Sequence, residues 1–193
     1  MPQSLQLDLA TTALILIDLQ HGIVSLSTAP HPAKDVVNKG AALAKLFREK
    51  GSTVIYVRVD FANMLKLPVD ASLRDPNAPP PPAIASELVP ESGVQNGDLI
   101  ITKRQWGAFF GTDLEQQLHK RGIKTVVLAG IATNFGVEST ARAAAGLGFA
   151  VVFAEDATTS INEEAHRFAM ETIFPKLGRV RTVDQIQTSI LST

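Results

Sequence analysis

Six short apolar runs punctuate the chain, and most are trailed by a segment whose apolar positions recur at helical spacing. They cover residues 13–17, 53–59, 99–102, 125–129, 150–154 and 179–181. In order, they end at Asp18, Asp60, Lys103, Gly130, Glu155-Asp156 and Thr182. A strand that is apolar at consecutive positions is buried on both faces, which predicts a parallel sheet. Residues 34–50 place Val36, Val37, Leu43, Ala44 and Phe47 at helical spacing, and Gly51 supplies a stop. Thr112 with Glu115, Ser160 with Glu163, and Thr182 with Gln185 have the spacing of capping boxes that open further helices. Val137, Thr140, Ala141 and Ala144 define the face of another helix, ending near residues 146–148.

This alternation predicts an α/β three-layer sandwich with right-handed crossovers. Six strands are too few for an eight-stranded barrel, so the expectation is a six-stranded, parallel, doubly wound sheet. The length of 193 residues suits one domain over 1–193. Residues 61–98 break the rhythm, lacking a period and holding seven of the eleven prolines. So long a loop suggests a lid or a partner-binding arm, with a passive excursion as the alternative.

Composition narrows the function. Net charge is −1, from 18 basic and 19 acidic residues, so neither nucleic acid nor an anionic membrane is expected as a partner. No apolar run approaches the roughly 18 residues that span a bilayer. The start, Met1-Pro2-Gln3-Ser4, lacks the basic and apolar stretches of a signal peptide, and a cytoplasmic location is expected. Cysteine is absent. That excludes disulfides, thiolate metal sites and any mechanism needing a thiol nucleophile. The four histidines, His21, His31, His119 and His166, show no ligand spacing, so no metal or other cofactor is expected. His119 and His166 lie on helical patterns and are expected at the surface, whereas His21 stands near Asp18.

Ligands of open α/β sheets bind beyond the carboxyl ends of the strands. The first strand delivers Asp18 and Gln20 there, and the third delivers Lys103. The fourth leads through Gly130, Ile131, Ala132, Thr133, Asn134, Phe135 and Gly136 into a helix. An acid, a base and a helix N-terminus on one edge suit proton transfer with electrostatic stabilisation. Each alone has a bland reading: a turn aspartate, a solvated lysine, a small residue opening a helix. Trp106, the only tryptophan, shapes the pocket or packs between subunits.

Residues 14–20 (Leu-Ile-Leu-Ile-Asp-Leu-Gln), Lys103 followed by Ala108-Phe109, and 130–133 (Gly-Ile-Ala-Thr) followed by 137–141 (Val-Glu-Ser-Thr-Ala) resemble the isochorismatase-like, or cysteine hydrolase, superfamily. The likeness runs from about Thr12 through Asp156. The run Lys103 to Phe109 is most similar to its uncharacterised YecD-like branch. The resemblance implies the strand order 3-2-1-4-5-6 and an aspartate–lysine–cysteine triad. Asp18 and Lys103 match the first two members, and Gly136 stands at the cysteine's position. It also implies a cis peptide at Ile131–Ala132, an oxyanion hole from the N–H groups of Ala132 and Gly136, and a homodimer or homotetramer. Gln20, Trp106 and residues 131–135 would contact the small-molecule substrate.

Amidase members of the superfamily attack through the thiolate, a route closed to this chain. Members that cleave isochorismate also lack the cysteine, and their aspartate protonates a vinyl ether. Their turn reads Tyr-Ala-His, where this chain has Ile131-Ala132-Thr133-Asn134. Nicotinamidase relatives bind zinc through Asp-x-His after the second strand, where this chain reads Asp60-Phe61-Ala62-Asn63. The expectation is therefore a cysteine-independent hydrolase of a small carboxylated or vinyl-ether metabolite. A binding or regulatory protein retaining the fold is the alternative.

Overall fold

The strands form where the apolar runs predicted them: β1 (Thr12–Ile17), β2 (Thr53–Val59), β3 (Leu99–Lys103), β4 (Thr125–Ile131), β5 (Ala150–Thr159) and β6 (Arg179–Arg181). The computed structural model describes residues 5–75 and 77–191, and the targeting expectation for Met1–Ser4 lies outside them. The six strands make one sheet in the order β3-β2-β1-β4-β5-β6, every pair parallel. Its helices are α1 (His21–Val24), α2 (Ala33–Glu49), α3 (Leu114–Lys120), α4 (Glu138–Gly146), α5 (Glu163–Phe168), α6 (Phe174–Leu177) and α7 (Val183–Leu191). A π turn, Thr133–Val137, opens α4, and a second, Ala169–Ile173, links α5 to α6.

Alternation along β1 shows why its run is apolar throughout. Leu14 and Leu16 pack with Val36 and Phe47 of α2 and Ile186 of α7. Ala13, Ile15 and Ile17 face the other way, onto Leu114, Leu118, Val137 and Ala141. Both layers exclude water, so positions 13–17 are all apolar. Helix α2 closes as its sequence foretold: Gly51 at φ 70° donates to the Arg48 carbonyl (2.9 Å), and Ser52 N–H reaches the Phe47 carbonyl (2.8 Å).

Two capping expectations need correction. Helix α5 is capped by Asn162, whose Oδ1 accepts from Ala165 N–H at 2.8 Å, while Ser160 turns to Asn134 instead. Helix α3 starts after Asp113, and Thr112 Oγ1 accepts from Leu114 N–H at 3.2 Å without a reciprocal glutamate. Thr182 and Gln185 form the full box, with contacts of 3.0 and 3.3 Å.

The segment 61–98 divides in two. Leu65, Leu67, Val69 and Leu73 stand exposed on its outer half. The half from Pro82 onward is fastened to the body: Val89 N–H donates to the Leu19 carbonyl (3.0 Å) and Tyr56 Oη to the Ser92 carbonyl (2.7 Å).

Candidate functional site

Strands β1, β3 and β4 bring their ends together. Asp18 adopts φ 53°, in the left-handed region that aspartate tolerates better than most residues. It is held there by its own N–H on the Val57 carbonyl (2.8 Å) and by Gln20 N–H on its carbonyl (2.8 Å). Gly130 allows the close approach of β4, since a Cβ there would stand 2.1 Å from the Ile17 carbonyl oxygen. Lys103 Nζ lies 2.7 Å from Asp18 Oδ2 and donates to the Trp106 carbonyl at 2.6 Å. The two residues are 6% and 1% exposed. Asp18 Oδ1 is buried and has no hydrogen-bond partner among the described residues. Burial pushes the Asp18 carboxyl above its ordinary value, and Lys103 only partly offsets this.

Gly136 faces this pair. A Cβ built there would meet Lys103 Nζ at 3.0 Å and Asp18 Oδ2 at 3.2 Å. A side chain at 136 would thus start directly against the acid and the base, and they have closed in over the place it would take. The Ile131–Ala132 peptide is cis. The Ala132 carbonyl accepts from Phe135 and Val137 N–H at 3.1 and 3.2 Å, so Gly136 N–H stands between them at the opening of the helix. Thr140 Oγ1 ties the layers by donating to the Gly136 carbonyl (2.7 Å) and accepting from Ala108 N–H (3.1 Å).

The remaining predicted residues separate into roles. Gln20 is fully buried; its Nε2 donates to the Val59 and Ala85 carbonyls (3.1 and 2.9 Å) and its Oε1 accepts from Val59 N–H (2.8 Å). Its amide therefore anchors segment 61–98 to β2, which corrects the substrate-binding expectation. Ile131 is buried beneath the turn. Trp106 is 47% exposed and meets Phe135 edge-on, ring centroids 4.9 Å apart. Phe135 and Asn134 line an open cavity of about 750 Å³, together with Ile161, Ala165 and Phe168. The Asp18–Lys103 pair does not line it. His21 is half-buried and bound through its backbone to Glu87 (3.0 Å).

A second cluster escaped the sequence reading. His166, expected at the surface, is 3% exposed. The histidines, read as lacking ligand spacing, converge across the fold: His31 Nε2 lies 3.2 Å and His166 Nε2 3.6 Å from Glu155 Oε1. Glu155 arrives by a bulge. Strand β5 was expected to stop at Ala154, but it runs on, placing four residues between Phe153 and Thr158 where β4 places one, Ala129. Such a bulge re-aims side chains. His166, with His31 assisting, holds the Glu155 carboxyl down to about 2 despite its partial burial. At 3.6 Å the His166 contribution is electrostatic rather than a formed hydrogen bond. The switch-point rule could have flagged Glu155, which follows an apolar run as Asp18 does. No local signal joins it to His31 or His166.

A parallel doubly wound sheet with an acid–lysine pair at its switch point is a hydrolase-type α/β scaffold. The Isochorismatase domain family matches residues 12–185, and the chain belongs to that family. An uncharacterized isochorismatase family protein, YecD of Escherichia coli O157:H7, is 46% identical over 96% of this chain and all of its own length. A ureidoacrylate amidohydrolase, RutB of Variovorax paradoxus, is 29% identical over 97% of this chain and 84% of its own. The structure of an isochorismatase family protein from Burkholderia thailandensis superposes with a TM-score of 0.90 at 44% identity, covering 96% and 98% of the two chains.

Proposed function

We propose that this chain is a hydrolase of a small carboxylated or vinyl-ether metabolite, working by acid/base chemistry without a cysteine. Asp18 is the proton donor and Lys103 stabilises the negative charge of substrate or intermediate. The observation that carries this reading is the state of Asp18: a buried carboxyl, raised above its ordinary value, with one oxygen on Lys103 and the other free of partners. A carboxyl whose affinity for a proton is raised by burial suits general acid catalysis. On a vinyl ether, the Asp18 proton would pass to the terminal carbon and water would add to the resulting cation. The hemiketal would then collapse to carbonyl and alcohol, with the water's proton returned to Asp18. The amidohydrolase among the relatives supports hydrolysis as the reaction class.

One observation favours the second reading, a small-molecule-binding or regulatory protein. The pair is sealed from solvent, and the Trp106 carbonyl already occupies Lys103.

A metabolite-library screen with thermal-shift readout, followed by turnover assays on the hits, separates the two. For any ligand that is turned over, Asp18→Asn is expected to lower kcat by about 10² or more. Undiminished turnover in that variant would reassign Asp18 to structure. A tight ligand that is never consumed would favour the binding protein.

A further inference from the structure

His31, Glu155 and His166 are far apart in sequence, yet each reaches the cluster from a position fixed by other contacts. His31 sits in the loop between α1 and α2. Its N–H donates to Thr159 Oγ1 (3.2 Å), and its carbonyl accepts from Thr159 Oγ1 (2.8 Å) and Thr28 Oγ1 (2.9 Å). Glu155 is turned inward by the bulge in β5. His166, on α5, contacts Thr133 Oγ1 through Nδ1 at 2.8 Å. With that nitrogen donating its proton to the hydroxyl, the lone pair of Nε2 points into the cluster. That Nε2 is buried and has no hydrogen-bond partner among the described residues. Buried polar atoms are normally satisfied, so this one marks a missing partner.

We propose that His31 Nε2, His166 Nε2 and Glu155 Oε1 bind one divalent transition-metal ion of the zinc type. The three donor atoms all lie within 4.8 Å of one another. Tetrahedral zinc with bonds of about 2.0–2.1 Å sets its ligands roughly 3.3 Å apart. The contacts of 3.2 and 3.6 Å to Glu155 bracket that separation. A plain His31–Glu155 ion pair accounts for the shorter contact but leaves His166 Nε2 unsatisfied. Two imidazoles and one carboxylate favour zinc and its neighbours over magnesium or calcium, which demand oxygen donors. Three protein ligands leave a fourth position for water or a ligand group. Thr133, in the turn between β4 and α4, holds the His166 ring in this orientation through Nδ1. The site is separate from Asp18 and Lys103 and stands whether or not that pair is catalytic.

The test uses the full chain, freed of metal with a chelator and then titrated with Zn²⁺ against a competing chromophoric indicator. Co²⁺ serves as a spectroscopic stand-in for the coordination geometry. The expected result is one equivalent of Zn²⁺ bound, visible Co²⁺ bands of tetrahedral type, and a Tm raised by roughly 5–10 °C at a hundredfold excess over Kd. His31→Ala and Glu155→Gln, both at partly exposed positions, should each weaken binding about tenfold or more. Thr133→Val should weaken it by about 10–100-fold through loss of the orienting contact. Absence of binding at millimolar Zn²⁺ overturns the proposal. So does binding of unchanged affinity in both His31→Ala and Glu155→Gln, which would place the ion at other side chains.

Discussion

Among the described residues, a sealed acid–lysine pair and a partly exposed carboxylate–histidine cluster hold carboxylates whose affinities for a proton shift in opposite directions. Asp18 sits against a single cation within a sealed core, and desolvation wins: its carboxyl is raised despite Lys103 at 2.7 Å. Glu155 keeps a third of its side chain exposed and faces two imidazoles, and attraction wins: its carboxyl is lowered to about 2. The same chemical group thus holds its proton more tightly than usual in one place and less tightly in the other. Depth of burial decides which, because the cost of removing a charge from water grows faster than one neighbour can repay. A carboxyl with a raised proton affinity suits acid catalysis, and a standing anion beside two imidazoles suits a cation.

Four substitutions sharpen or break this contrast. The largest effect is expected from Lys103→Met, which leaves Asp18 without its cation and the Trp106 carbonyl without its donor. Breaking a buried pair in this way costs about 3–5 kcal/mol, read as a fall in the stability extrapolated from urea denaturation. Glu155→Gln, at a partly solvated and screened contact, should cost about 1 kcal/mol or less in the metal-free chain. Equal losses would show that the two clusters do not differ in depth.

Next comes Gly136→Cys, which sets a lone thiol against Lys103 at a helix opening. Its pKa should drop from about 8.5 into the range of roughly 3.5–7.5, so iodoacetamide at about pH 6.5 should alkylate it faster than an exposed control at Gln116→Cys. The contact distances require Lys103 and Asp18 to yield by a few tenths of an ångström, so folding is checked first by circular dichroism. A folded variant whose thiol titrates near 8.5 would mean that the pocket does not stabilise an anion.

The smallest effects lie in the pH dependence of stability. Glu155 is lowered when folded, so its contribution is complete above its ordinary value of 4.5 and is lost as pH falls toward about 2. Asp18 is raised when folded, so its contribution is complete below its ordinary value of 3.8 and is lost as pH rises through the folded one. Urea midpoints across the pH range should lose their acid-side fall in Glu155→Gln and their opposing decline in Asp18→Asn. Profiles of one sign for both carboxylates would contradict the contrast.

The sheet was legible because its strands are apolar at every position, and Asp18, Lys103 and Gly136 because each directly adjoins a strand or opens a helix. Chain order brought them to one edge of the sheet, and the family resemblance singled them out from their bland readings. Gln20 misled for the same reason: its place after β1 suggested a ligand, while three backbone partners from distant segments claim its amide. His166 misled differently. Its helix has the period of a surface helix, but its Thr133 and Glu155 contacts come from the turn after β4 and from β5, over thirty and ten residues away respectively. The bulge that aims Glu155 has no signature in a run of residues that already reads as a finished strand.

The position of Trp106 has a practical consequence for spectroscopy. It is the only tryptophan in 193 residues, its indole is edge-on to Phe135, and its carbonyl receives the Lys103 ammonium. Emission excited at the red edge of protein absorption therefore arises from one indole, at the boundary between the cavity-lining Phe135 and the backbone contact to Lys103. The chain is labelled at that boundary without chemical modification. A molecule that parts the two rings, or displaces the Lys103 contact, alters the polarity around the only strong emitter and can be followed in real time before its chemistry is known.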